Sequence, residues 1–242
     1  NTASAIDVSA ATPEFSGNSA VGNGANGIRF EGSVVRDHTL TQDLPYVFSA
    51  SFDIPAGRTL TVSAGTIIKL WGGSIAVNGK LEALGTAENK VVFTSVHDDE
   101  CGDEVPDDIC GDADATTTVP MLGDWNTIFF NGGTASSTFT HAVIRYGGGI
   151  SSELPGALRI AGTSIEIRNT VIEKNSPAGI WMQNSTSTLI TDSFIRDHAD
   201  ETPNTVRAIM LVSSSTPTIA NTEFSNNEEN ISKDETSSYI DG

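Results

Sequence analysis

From Leu60 to Ser95 apolar residues alternate with polar ones in very short bursts: Leu60 and Val62, Ile67 and Ile68, Ile75 and Val77, Leu81 and Ala83, Val91 and Phe93. A period of two held for only a few residues predicts strands, each too short to bury an apolar face alone. The Gly-Thr pairs Gly65-Thr66 and Gly85-Thr86 stand 20 residues apart and close the bursts with turn residues. Three short strands per roughly 20-residue period predict a solenoid, in which each coil is buried by its neighbours.

The second half repeats the pattern with longer loops. Aligning Ile144, Ile172, Ile195 and Phe224 gives steps of 28, 23 and 29, so strand lengths persist while loop lengths vary. Asn169, Asp192 and Asn221 each stand three residues before such an anchor, and His141 holds the corresponding place in the first coil. A small amide or acid at a fixed turn accepts the left-handed conformation and bonds neighbouring backbone. These positions are expected to stack as a structural ladder, with a ligand-binding column as the alternative. A β-sandwich would bring turns every 8 to 12 residues without a coil period, and a propeller blade needs roughly 40 to 45 residues. About seven coils are expected over one domain, residues 1–242, with residues 1–27 irregular or terminal coil and Phe15 as their large apolar side chain.

Residues 96–124 interrupt the coils. From Asp98 to Asp124 the chain carries ten acidic residues and neither Lys nor Arg, so mutual repulsion opposes a compact loop. Cys101 and Cys110 are the chain's two cysteines and lie inside this stretch, where a bridge would suit an oxidising compartment. Calcium takes six to eight oxygens in flexible geometry. Asp98, Asp99, Asp103, Asp112, Asp114 and Asp124 are the candidate ligands for a structural Ca²⁺. The alternative is a solvated loop held by the disulfide. Two cysteines without a nearby His pair do not make a zinc site.

The net charge of -18 argues against nucleic acid or an anionic membrane as a partner. No run approaches the 18 or more apolar residues that span a bilayer, so membrane insertion is not expected.

The run Ala56-Gly57-Arg58-Thr59-Leu60-Thr61-Val62, Gly65-Thr66-Ile67-Ile68-Lys69, Val77-Asn78-Gly79-Lys80-Leu81, Gly85-Thr86-Ala87-Glu88-Asn89 and Val92-Phe93-Thr94-Ser95 resembles the right-handed parallel β-helix repeat modules of large secreted or surface-anchored bacterial proteins, within the pectate-lyase-like superfamily. The similarity covers most of residues 27–230. In such modules an Asp- and Gly-rich loop that ends in Gly-Asp-Trp often follows the Phe-Thr-Ser strand, and Gly123-Asp124-Trp125 matches that ending. The chain departs by inserting Cys101 and Cys110 and by lacking an Asn-Gly-Asp-Gly core. The resemblance implies an all-β, right-handed parallel β-helix in a secreted or cell-surface setting. Lyases, hydrolases, adhesins and inert spacers all use that fold.

Lyases of this fold need a basic residue beside a Ca²⁺-neutralised uronate, and hydrolases need clustered carboxylates. Arg36-Asp37-His38 recurs as Arg196-Asp197-His198, which invites an acid/base reading, yet both triplets follow apolar strands and fit the start of polar turns. Lys69, Arg145, Arg159 and Arg168 alternate with apolar neighbours and are expected to project outward as solubilising charges. No catalytic residue is assigned. The expected function is a structural or adhesive module, stabilised by Ca²⁺, with polysaccharide or cell-surface glycan and neighbouring β-helix modules of the same chain as partners. A carbohydrate-active enzyme is the alternative. Ice binding is disfavoured because the threonines do not recur strictly at one position per coil. Glu14-Phe15-Ser16 echoes Glu223-Phe224-Ser225 at an offset of 209, which suggests one unit of a tandem array lacking amphipathic caps.

Overall fold

The computed structural model describes residues 4–9, 11–101, 110–111, 113–114, 118–132, 136–149, 156–198 and 206–242. Among the described residues every named element is a β-strand, and every strand pairing is parallel. The strands form three faces wound round one core. The first face stacks Ile67–Leu70, Val91–Ser95, Ala142–Arg145, Val171–Glu173, Phe194–Arg196 and Glu223–Ser225. The second stacks Ile75–Val77, Ile128–Phe130, Leu158–Ala161, Ala178–Gln183, Arg207–Val212 and Glu229–Lys233. The third is a separate 8-stranded sheet from His38–Leu40 to Ile240–Asp241, one level more than the expected seven coils. Tyr46–Ile54 is long enough to belong to two faces, its start pairing with Ile67–Leu70 and its end with Ile75–Val77.

Short alternating strands fold this way because one side chain in two points inward and stacks on its counterpart in the next coil. On the first face the inward column runs Tyr46, Ile68, Phe93, Ile144, Ile172, Ile195 and Phe224, in register throughout. The four anchors aligned by sequence are therefore true neighbours. Their counterparts on the second face are Phe52, Ile75, Ile128, Leu158, Ile180, Ile209 and Ile231. These columns belong to one continuous apolar core.

The corners are built from left-handed residues. Between the third and first faces His141, Asn169, Asp192 and Asn221 have φ of 46°, 49°, 52° and 49°. Each N–H of the first three donates to the next coil, at 3.1 Å, and Asn221 Nδ2 donates to Asp192 Oδ1 at 3.2 Å. The expected ladder is present. A second ladder, not foreseen, turns the first face into the second through Tyr146, Lys174, Asp197 and Asn226, with φ of 62°, 53°, 59° and 53°. Left-handed backbone costs a residue with a Cβ about 1–2 kcal/mol. The hydrogen bonds to the adjacent coil offset that cost.

The start of the chain differs from expectation. Ser4–Ser9 is a strand paired with Ala25–Ser33, and Ile6 and Val8 supply its period-two signal. Residues 12–18 then fold over this end of the core. Arg36 Nε donates to Thr12 Oγ1 at 2.7 Å, Thr41 Oγ1 donates to the Phe15 carbonyl at 3.0 Å, and the Phe15 ring meets Tyr46 edge-on at 6.4 Å. These residues cover part of this end, while among the described residues Ser4–Ser9 pairs on one side only. Phe15 lies outside any strand whereas Phe224 is in one, though both pack partly buried against the same core.

Candidate functional site

The outward side chains of the first face form their own column, in which Val47, Lys69 and Thr94 are neighbours, as are Arg145, Glu173, Arg196 and Ser225. Their alternation with core residues sends them away from the barrel, as expected. Two of them nevertheless do not reach solvent: the Lys69 side chain is 0% exposed and that of Arg145 4%. The cause is the acidic insertion, which folds back over this face.

Lys69 Nζ donates to the carbonyl of Asp98 at 2.8 Å and to that of Gly111, and lies 3.5 Å from Asp99 Oδ1. Burial pulls its pKa below the usual lysine range, against the opposing pull of Asp99 and Asp98. Arg145 Nε lies 3.4 Å from Asp98 Oδ2 and Nη1 3.5 Å from Glu173 Oε1, while Nη2 donates to the Tyr146 hydroxyl at 2.7 Å. Nε and Nη1 have no hydrogen-bond partner, so their two carboxylate contacts are ionic. Burial disfavours the Arg145 charge, but Asp98, the Tyr146 hydroxyl and Glu173 outweigh it and hold the pKa above the ordinary arginine value. Arg196 Nε bonds Glu173 Oε2 at 2.8 Å and lies 3.8 Å from Asp197. Asp98, Arg145, Glu173, Arg196 and Asp197 thus form one chain of alternating charge.

The insertion also has an apolar side. Cys101 and Cys110 are joined by a disulfide, with Cα atoms 5.6 Å apart. Both are fully buried against Ile67, Val92, Val143 and Val171, a second outward stripe of the first face. Countercharge below and an apolar anchor beside them hold the described parts of the insertion, around residues 98–101 and 110–111, against the barrel. Arg168 behaves as expected, with its side chain 39% exposed beside Glu166.

The candidate calcium ligands fall into separate places. Asp98 accepts from the Thr94 hydroxyl and from the Cys101 N–H at 3.2 Å, Asp99 meets Lys69, and Asp114 pairs with His97. Asp124 accepts from the Ser95 hydroxyl at 2.7 Å and the Met121 N–H at 2.9 Å. Asp103 and Asp112 lie outside the described residues. Among the described residues no group of three His, Cys, Asp or Glu side chains is placed to hold a metal. Each of the four described carboxylates meets a protein group: Asp98 and Asp99 face Arg145 and Lys69, Asp114 faces His97, and Asp124 faces Ser95 and Met121.

Between the insertion and the first face lies an open cleft of about 790 Å³. Asp99 and Glu100 line it on the insertion side, with Tyr146, Lys174, Arg196 and Asn226 opposite. Lys174 Nζ sits 5.8 Å from the centre of the Tyr146 ring. The cleft offers donors and acceptors of both signs, while the Tyr146 ring is buried with the Arg145 guanidinium 4.7 Å from its centre.

The two Arg-Asp-His triplets are absorbed by the fold. Asp37 accepts the Thr59 N–H at 3.0 Å, and His38 is buried with its ring stacked 6.2 Å from Phe30. Asp197 takes the corner position and accepts from Asn226 Nδ2 at 3.0 Å. His198 turns inward between Asn175 and Asn227: Asn227 Oδ1 accepts from its Nδ1 at 3.0 Å, and Asn175 Nδ2 donates to its Nε2 at 3.4 Å. That pattern fits the neutral imidazole. Burial is the main cause of its pKa falling to about 4. On the third face Thr39, Thr61, Glu82, Thr138, Glu166, Leu189 and Thr218 are in register, so its threonines do not form an unbroken column.

Residues 126–240 match the family model described as the right handed beta helix region. Coils before residue 126 continue the same faces in register, and the chain is a right-handed parallel β-helix. No curated protein and no solved structure matches it.

Proposed function

We propose that this chain is a non-catalytic structural or adhesive module of a secreted or cell-surface protein, and that the cleft between the acidic insertion and the first face receives a carbohydrate. The observation that carries this reading is Glu173, whose carboxylate is bracketed by Arg145 at 3.5 Å and Arg196 at 2.8 Å. Glycoside hydrolysis requires one carboxyl able to give up a proton and another free to attack or take one. Both carboxyl oxygens of Glu173 are already taken up by guanidiniums and the side chain is buried, so neither oxygen is free to face a substrate. A lyase needs a basic group free to take a proton from substrate; Lys69 and Arg145 are covered, and Arg196 on the cleft wall is held by Glu173 at 2.8 Å. Asp99, Lys174, Arg196 and Asn226 supply the donors and acceptors that sugar hydroxyls require. The disulfide supports an oxidising compartment. Among the described residues no helix is long and apolar enough to cross a membrane.

The test is incubation with a panel of neutral and acidic polysaccharides, scored for retained protein and for new chain ends. Retention without new ends, weakened by Lys174→Ala, is the expected result. New chain ends that disappear in Glu173→Gln would replace this reading with an enzymatic one. Absence of both signals would reduce the module to a spacer.

A further inference from the structure

The second face carries an arginine whose charge is not matched. Outward positions there stack in register as Ala76, Phe129, Arg159, Trp181 and Met210. The Arg159 guanidinium lies 4.3 Å from the centre of the Phe129 ring and 4.9 Å from that of Trp181, so both of its flat sides are covered by aromatic rings. Its Nε is shielded from solvent and has no hydrogen-bond partner. Among the described residues no carboxylate pairs with Arg159, although the chain holds 31 acidic residues against 13 basic ones. Burial alone pulls its pKa down, with no neighbouring acid to compensate.

Shielding a cation without a counter-ion costs free energy, and aromatic contacts recover about 0.5–2 kcal/mol of it. Those contacts use the faces of the guanidinium. Its N–H edge remains available, and the strand places that edge on the outside because Leu158 and Ile160 on either side point into the core. A planar fork of N–H groups matches a carboxylate in bidentate geometry. Phe129 beside the fork and Met210 one strand beyond Trp181 are both partly exposed and extend apolar surface of the kind that packs against the C–H face of a pyranose ring. A net charge of -18 repels a polyanion at long range, so a single acidic sugar in an otherwise neutral glycan suits this site better than an acidic polymer.

We propose that Arg159, clamped between Phe129 and Trp181, is the anion-recognising centre of a second binding site, specific for a carboxylate-bearing sugar within a largely neutral glycan. The site lies on a different face from the cleft and does not rest on the reading of that cleft.

The test titrates the full chain with methyl glucuronide, methyl glucoside and acetate, followed by calorimetry and by tryptophan emission, with Trp181→Phe assigning the optical signal. Saturable binding of the glucuronide is expected, with the glucoside, acetate and the Arg159→Gln variant each at least about tenfold weaker. Arg159→Lys, which keeps the charge and loses the fork, is expected to fall between wild type and Arg159→Gln; it serves as the deciding variant if Arg159→Gln does not fold. Equal affinity for glucuronide and glucoside, equal affinity for acetate, or a glucuronide affinity unchanged by either substitution would overturn the proposal, as would the absence of saturable binding. Lys174→Gln, a change in the first-face cleft, is expected to leave glucuronide binding intact, so failure at one site is distinguishable from failure at the other.

Discussion

Arg145 Nε stands 3.4 Å from Asp98 Oδ2, and this contact ties a coil strand to the beginning of the acidic insertion. Both side chains are almost wholly buried, at 4% and 3% exposed. Removing one partner of such a pair leaves an unmatched charge, which typically costs 3–5 kcal/mol. Arg145→Leu also abandons Glu173, and a loss of about 3–5 kcal/mol is expected in urea unfolding. A loss below about 1 kcal/mol would mean that the charge chain contributes little and that the apolar contacts hold the insertion.

The buried imidazole of His198 predicts a pH dependence. Its pKa is about 4 in the fold and 6.5 for the free side chain. Above the free value both states are neutral and the group is silent. As pH falls from 6.5 towards 4 the unfolded chain takes up a proton that the folded one does not, so stability is lost across that window. At about 1.4 kcal/mol per unit the loss is on the order of 3 kcal/mol. His198→Asn continues the Asn175 and Asn227 column and is expected to flatten the difference between melting curves at the two ends of the window. An unchanged slope in that variant would assign the effect to other groups.

Reduction of the Cys101–Cys110 bridge removes the constraint on a closed loop whose ends are 9 residues apart, worth roughly 2–3 kcal/mol. Because the pair packs outside the barrel, on Ile67, Val92, Val143 and Val171, the strand signal in circular dichroism is expected to survive while the melting temperature falls. Loss of the strand signal on reduction at room temperature would contradict that placement.

Within the core, position along the axis sets the cost of a cavity. Ile172 is fully buried between Ile144 and Ile195, and Ile172→Ala is expected to cost 2–5 kcal/mol. Phe224, partly exposed in the last coil, is expected to cost less than a buried phenylalanine when truncated. Equal losses at the two positions in denaturant unfolding would show that the last coil is as enclosed as the middle.

Calcium is tested by melting the protein with added Ca²⁺ and with a chelator. Lys69 and Arg145 already provide countercharge to Asp99 and Asp98, so coincident curves are expected. A rise of several degrees with Ca²⁺ would show that other carboxylates, Asp103 and Asp112 among the candidates, complete a site.

The coil architecture was legible because its signal is local. Strand period and anchor spacing placed Ile144, Ile172, Ile195 and Phe224 in one column, and the Asn169, Asp192 and Asn221 corner followed from residue type. The second corner was hidden because Tyr146 and Lys174 are not residues that advertise a left-handed turn. The site was legible only in halves. Lys69 and Arg145 read correctly as outward, but alternation along a strand says nothing of what a distant insertion lays over it. The acidic run suggested calcium ligands, whereas Asp98 and Asp99 face arginine and lysine across the coil stack, a pairing that no short-range spacing encodes.

The chain leaves the first face at Ser95 and re-enters the second at Ile128, and register is kept on both sides of the gap: Val91 stays opposite Ala142, and Ile75 opposite Ile128. The core therefore registers the insertion only as a corner, whatever its length or content. Such a port separates invention from maintenance: segments can be exchanged there, by evolution or by a protein engineer, while the rest of the molecule continues to fold on unchanged instructions.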